Sequence, residues 1–202
     1  MTNWRITIPG FFVLLFLIKY YDFFYLYVPV RSFAMGGEYE PTIASFALYN
    51  YFFKTLFYLF KFLIVAVILN GGIFLEGNKN KEQMVSFGKL FLIAIASEYI
   101  LLAADITKII DFTFVSTDYT EQDYLNYYPL SLFSLLDIET DSIFAILLQA
   151  LNIFEIAYIL FLANGLWQFQ YAEKAKAIKV TLYSYGSMLF VWVLIMTYFK
   201  VI

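Results

Sequence analysis

The sequence predicts an all-α fold, a polytopic transmembrane helical bundle of about five spans. Three observations predict it. Of 202 residues, 62% are hydrophobic and 14% charged, against roughly 45–50% and about 25% in an average soluble domain. A water-soluble fold of this size has no interior large enough to hide that excess. The apolar residues also fall in long runs, and about 20 such residues cross a hydrocarbon core of about 30 Å. Finally, Phe (24) and Tyr (18) are abundant, and their rings suit lipid contact and the membrane–water interface.

The first span is expected near 8–29. Arg5 precedes an apolar run from Phe11 to Ile18, as in a secretory leader. The next residues are Lys19-Tyr20-Tyr21-Asp22 rather than a small-x-small cleavage site, which predicts a retained span. Pro29 marks its end. The second span lies within 43–70, with Pro41 suited to the helix entry and Asn70-Gly71-Gly72 reading as a helix stop. The third, fourth and fifth spans are expected near 85–104, 142–166 and 180–198. A polar, acid-rich outer segment, 105–141, separates the third from the fourth. Within it, the run from Tyr127 to Leu136 is too short to cross a bilayer, which predicts a short interfacial or re-entrant helix. No internal repeat is visible, so 1–202 reads as a single integral membrane domain.

Lys and Arg in short loops set orientation. Lys79 and Lys81 lie between spans two and three, and Lys174, Lys176 and Lys179 between four and five. Together with Arg5 they predict a multi-pass protein of the cell membrane with a cytoplasmic N-terminus and an outer C-terminus.

The chain has no Cys and no His. Disulfides, thiolate metal sites and cysteine nucleophiles are thereby excluded, and so is the commonest metal ligand and general base. The net charge is −3 and the basic residues are dispersed, which argues against a nucleic-acid partner. No nucleophile elbow, phosphate loop, zinc helix or dinucleotide fingerprint is present. The expectation is a non-enzyme with neither cofactor nor metal.

Ionisable residues at membrane depth are costly and mark candidate sites. Lys61, Glu98, Asn152 and Glu155 each fall near the middle of a predicted span and define a candidate intramembrane polar cluster. Lys19 and Asp22, three residues apart on the first span, form a secondary candidate pair. The cluster has three readings: an internal ion pair that locks helices together, a Lys61 that snorkels to the surface beside a shallower Glu98, or the lining of a cavity or proton path. Gln149, Asn152 and Asn164 suit hydrogen bonds between helices. The outer acids, among them Asp118, Glu121, Asp123 and Asp137, read as a solvated cap held at the interface by Tyr119, Tyr124, Tyr127 and Tyr128.

The run Leu151-Asn152-Ile153-Phe154-Glu155-Ile156-Ala157-Tyr158-Ile159-Leu160-Phe161-Leu162-Ala163-Asn164-Gly165-Leu166, followed by Lys174-Ala175-Lys176-Ala177, resembles the fourth span and short basic loop of the Yip1 family of membrane proteins. Gly71-Gly72 and Phe87-Gly88-Lys89 resemble that family's turn into its third span. The resemblance implies a five-helix fold and topology, but no activity. The Asp-Leu-Tyr-Gly-Pro-like motif and the long cytosolic region of the eukaryotic members are absent, so their GTPase-binding roles are not implied. The expected function is a structural, adaptor or membrane-organising subunit. Its expected partners are the lipid bilayer and other membrane proteins, with a homo-oligomer as a further option. A small transporter or channel component using Lys61, Glu98 and Glu155 is the main competing expectation. An intramembrane enzyme acting on lipid ranks last.

Overall fold

The computed structural model describes residues 4–29, 42–76, 85–136, 144–169 and 173–201. These are predominantly helical, with one isolated antiparallel bridge between Ser131 and Asn152. Among the described residues, four helical stretches are long and apolar enough to cross a membrane: Ile8–Tyr27, Leu56–Leu75, Phe87–Val115 and Lys174–Phe199. No more than 39% of any of their most apolar windows is buried inside the protein. Side chains such as Phe57, Phe74, Phe114, Phe190 and Trp192 point outward. Large apolar faces of this kind are stable only where the solvent is itself apolar.

The chain divides into two compact units, 1–60 with 102–129 and 61–101 with 130–202. In the first unit, helix α1 (Trp4–Tyr21) passes directly into a π-helical turn, Asp22–Tyr27. Helix α2 (Thr42–Leu75) contributes its first half to this unit and its second half to the other. Helix α3 (Phe87–Ile110) is divided likewise and ends in a second π-helical turn, Asp111–Val115. A short helix, α4 (Glu121–Leu125), follows. It is closed by a reciprocal capping box in which Thr120 and Asp123 satisfy each other's backbone N–H.

The second unit adds two short helices, α5 (Leu132–Leu136) and α6 (Ala145–Ala150), then α7 (Ile153–Gln168), α8 (Lys174–Thr181), a third π-helical turn (Leu182–Gly186) and α9 (Ser187–Val201). Thr181 and Ser184 donate their hydroxyls back to the carbonyls of Ala177 and Val180 at 3.0 and 2.7 Å. Such back-bonding bends helices, and it sits where this helix widens.

Three boundaries differ from the sequence expectations. Gly71-Gly72 does not stop α2, which continues to Leu75. Gly72 is spent on packing: a Cβ there would lie 2.6 Å from Ser184 Cβ. Helix α3 continues past 104 to Ile110, and its π turn reaches Val115. Asp105 and Lys108 read as loop because they are charged, yet each finds a partner on the helix face. The expected span at 142–166 is interrupted. Leu151 ends α6 and Asn152 is extended (φ −127°, ψ 160°), opening α7 as its cap. The freed backbone groups are satisfied across the break, Leu132 N donating to Leu151 O and Ile153 N to Leu130 O at 3.0 and 3.2 Å. Leu130 adopts a left-handed φ of 52° to make this bridge, at a cost of about 1–3 kcal/mol. Within 127–136 the chain forms a short helix, α5, over Leu132–Leu136. Lys79, Lys81 and 137–141 lie outside the described residues.

Candidate functional site

The four residues singled out for the intramembrane cluster all lie in the second unit. Lys61 on α2 and Glu98 on α3 form an ion pair, Nζ donating to Oε1 at 2.6 Å. The Glu98 residue is 1% exposed. An ionised carboxylate in so dry a place stays there only with a charge partner.

Glu155 lies in the first turn of α7, where a carboxylate complements the positive end of the helix dipole. It accepts a hydrogen bond from the Tyr185 hydroxyl at 2.6 Å. The π turn carries Tyr185, whose ring lies 5.1 Å from that of Tyr158. Tyr158 is fully buried on α7, three residues after Glu155 and so on the same face. The Lys61 ammonium lies 5.6 Å from the Tyr158 ring centroid, within the range of a cation–π attraction. Tyr158 thus sits between the two carboxylates, and its buried hydroxyl makes no hydrogen bond among the described residues.

Asn152 has a different task from the helix-to-helix contact expected of it. Its Oδ1 accepts from Glu155 N at 2.8 Å, and its Nδ2 donates to Gln149 O at 3.1 Å. It caps α7, as Asn does at helix starts, and thereby fixes the first turn that presents Glu155. Sequence reasoning named Lys61, Glu98, Asn152 and Glu155 but missed Tyr158 and Tyr185. The Glu155-x-x-Tyr158 spacing was the available signal for the first. Nothing local distinguished Tyr185 among 18 tyrosines.

A second polar assembly occupies the first unit. Lys19 and Asp22 do not serve as each other's partner there. Lys19 pairs with Asp105 at 2.8 Å, and Asp22 accepts from the Tyr124 hydroxyl at 2.5 Å. Asp22 opens the π turn and so leaves the α-helical register that would stack it on Lys19. Around it, Tyr119 donates to Leu26 O at 3.1 Å and Tyr27 to Glu121 at 3.3 Å. Lys108 donates to Tyr124 O at 2.7 Å and lies 3.7 Å from the ring centroid of the same tyrosine. Leu26, Phe112 and Tyr124 form the buried centre. Burial, then the Asp22 charge, pushes the Tyr124 phenol well above its ordinary 10.0. Burial raises Tyr119, Tyr127 and Tyr128 in the same direction. The Thr120 backbone N–H, then its hydroxyl, holds the Asp123 carboxyl below the usual range.

Among the described residues, no group of three or more acidic side chains is gathered so as to hold a metal ion. The four helices among the described residues that are long and apolar enough to cross a bilayer fit a helical membrane protein. Comparison with protein-family models, with curated proteins and with solved structures finds no match.

Proposed function

We propose that this chain is a non-enzymatic integral membrane protein of Yip1-like architecture, acting as a structural or adaptor subunit that organises other membrane components. The observation that carries this reading is the Lys61–Glu98 pair, 2.6 Å long with its carboxylate sealed from solvent. Charges neutralised inside a bundle stabilise one arrangement of helices and leave the outer faces free for lipid and protein neighbours. In this reading α6 and α7 together make a fifth crossing, because α7 alone has 16 residues and spans about 24 Å. The lysine-bearing segments then face the cytoplasm, the acidic 116–129 region faces outward, and the protein resides in the cell membrane. The resemblance over 151–166 and 174–177 supports the same threading.

A transport reading is favoured by one observation, the Tyr158 phenol set between the two carboxylates at an interrupted helix. Interrupted helices build ion sites in transporters. Two measurements separate the readings. Affinity capture of the full chain in mild detergent, read by mass spectrometry, is expected to return a reproducible membrane-protein partner. Proteoliposomes carrying the chain are expected to hold a proton gradient as long as protein-free ones. Proton leakage that disappears in Glu98→Gln would defeat the adaptor reading.

A further inference from the structure

A groove of about 510 Å³ opens on the outside of the second unit, between the end of α2 and the α8–α9 helix. Gly71, Leu75 and Glu76 form one wall, and Tyr183, Ser184 and Met188 the other. Its size falls within the range of small-ligand sites. Its walls belong to two helices long and apolar enough to cross a membrane, so in a bilayer acyl chains are the solvent at its mouth. Leu75, Tyr183 and Met188 are all exposed along it.

The groove is polar at one end and apolar along its length, the order in which a phospholipid is built. At the polar end, Glu76 is fixed on the helix terminus by its own N–H to Gly72 O at 3.1 Å. Lys179 lies 3.8 Å from the Glu76 carboxylate and 5.8 Å from the centroid of the Tyr183 ring. A contact of 3.8 Å is longer than a hydrogen bond, so it does not saturate either group. The ammonium has three donors and the carboxylate several acceptor positions. The rim therefore presents one cation and one anion side by side.

We infer that this groove holds the acyl chain of a zwitterionic phospholipid with a primary-amine headgroup, its phosphate on Lys179 and its ammonium on Glu76. A choline headgroup cannot donate to Glu76. A glycerol headgroup can donate its hydroxyls to Glu76 but brings no cation to pair with that carboxylate. The inference rests on the membrane-spanning character of the chain and is independent of the adaptor reading.

Gly71 supplies a clean test. A Cβ built there meets nothing within 4 Å, so a Gly71→Leu side chain starts in open space and extends into the groove that Gly71 lines. Gly88, which is also open on that measure and lies outside the groove, serves as the control in Gly88→Leu. The full chain would be equilibrated with bilayers of equal phosphatidylethanolamine, phosphatidylglycerol and phosphatidylcholine, and its retained lipid read by native mass spectrometry. Wild type and Gly88→Leu are expected to retain phosphatidylethanolamine about tenfold over the other two. Gly71→Leu should lose the retained lipid, and Glu76→Gln should keep a lipid but lose the preference. Photocrosslinking wild type with a tail-labelled phosphatidylethanolamine gives a readout that needs no variant, and adducts are expected at Leu75, Tyr183 or Met188. Lipid retained in bulk proportions, a preference for phosphatidylglycerol, full retention by Gly71→Leu, or adducts confined to other helices would each overturn the proposal.

Discussion

Tyr158 and Tyr185 share a face of the same buried cluster and differ in one hydrogen bond. Tyr185 donates to Glu155, whereas the Tyr158 hydroxyl makes no such bond among the described residues. Removing the first loses an interaction worth about 1 kcal/mol between membrane helices. Removing the second deletes a buried polar atom that brings no bond with it. Tyr185→Phe is therefore expected to lower stability in a detergent unfolding titration by about that amount, and Tyr158→Phe to leave it level or raise it. A larger loss in Tyr158→Phe would show that its hydroxyl is the working one. In the first unit the sign concerns pH. A phenol raised by burial keeps its proton in the fold beyond the point where the unfolded chain releases it. The stability it contributes is complete below the ordinary 10.0 and falls as pH rises past that value. Alkaline titration followed by tyrosinate absorbance is expected to show Tyr124 ionising late and together with loss of tertiary signal. Tyr124→Phe should remove that coupling.

At the scale of the element, glycine neighbours in α2 have opposite duties. Gly72 meets Ser184 closely enough that a methyl group has no room, while Gly71 faces open space. Gly72→Ala is expected to cost about 1–3 kcal/mol through overpacking. Gly71→Ala should gain about 0.5–1 kcal/mol, because Ala restricts the unfolded chain and favours helix. Thermal melts of the two variants check the difference, and equal effects would contradict the packing. The same pair shows why helix ends were hard to read. A Gly-Gly step is a stop signal in isolation, and only the partner helix turns it into a contact. Asp105 and Lys108 misled in the same direction, again placing a helix end too early. Charge suggests loop, but Lys19 and the Tyr124 ring supply partners from distant sequence that keep both on α3. The break before Asn152 was equally hidden. An Asn within an apolar run reads as mid-span polarity until the bridge to Leu130 and Leu132 shows where the helix begins.

For the whole molecule, the solvent was legible from composition because apolar faces this extensive have no counterpart in water. The identity of the charge partners was half legible. Lys61 and Glu98 were recognisable as residues at similar depth on neighbouring spans, and they meet. Lys19 and Asp22 were linked by local spacing, and tertiary partners claimed both. The threading can be tested directly because the chain has no native cysteine. Single cysteines at Lys176 and Asp118 are expected to react with an impermeant maleimide from opposite sides, Asp118→Cys from outside intact cells. Labelling of both from one side would contradict the orientation. The claim beneath all of this is that the lipid-embedded bundle closes its charges upon one another. A double-mutant cycle on Lys61→Met and Glu98→Leu, unfolded from bilayers, tests it most directly. Lys61→Met removes the ammonium from a sealed carboxylate and is expected to cost about 3–5 kcal/mol. The double variant should recover most of that loss and remain folded. A Lys61→Met protein as stable as wild type, or losses that simply add in the double variant, would contradict the account.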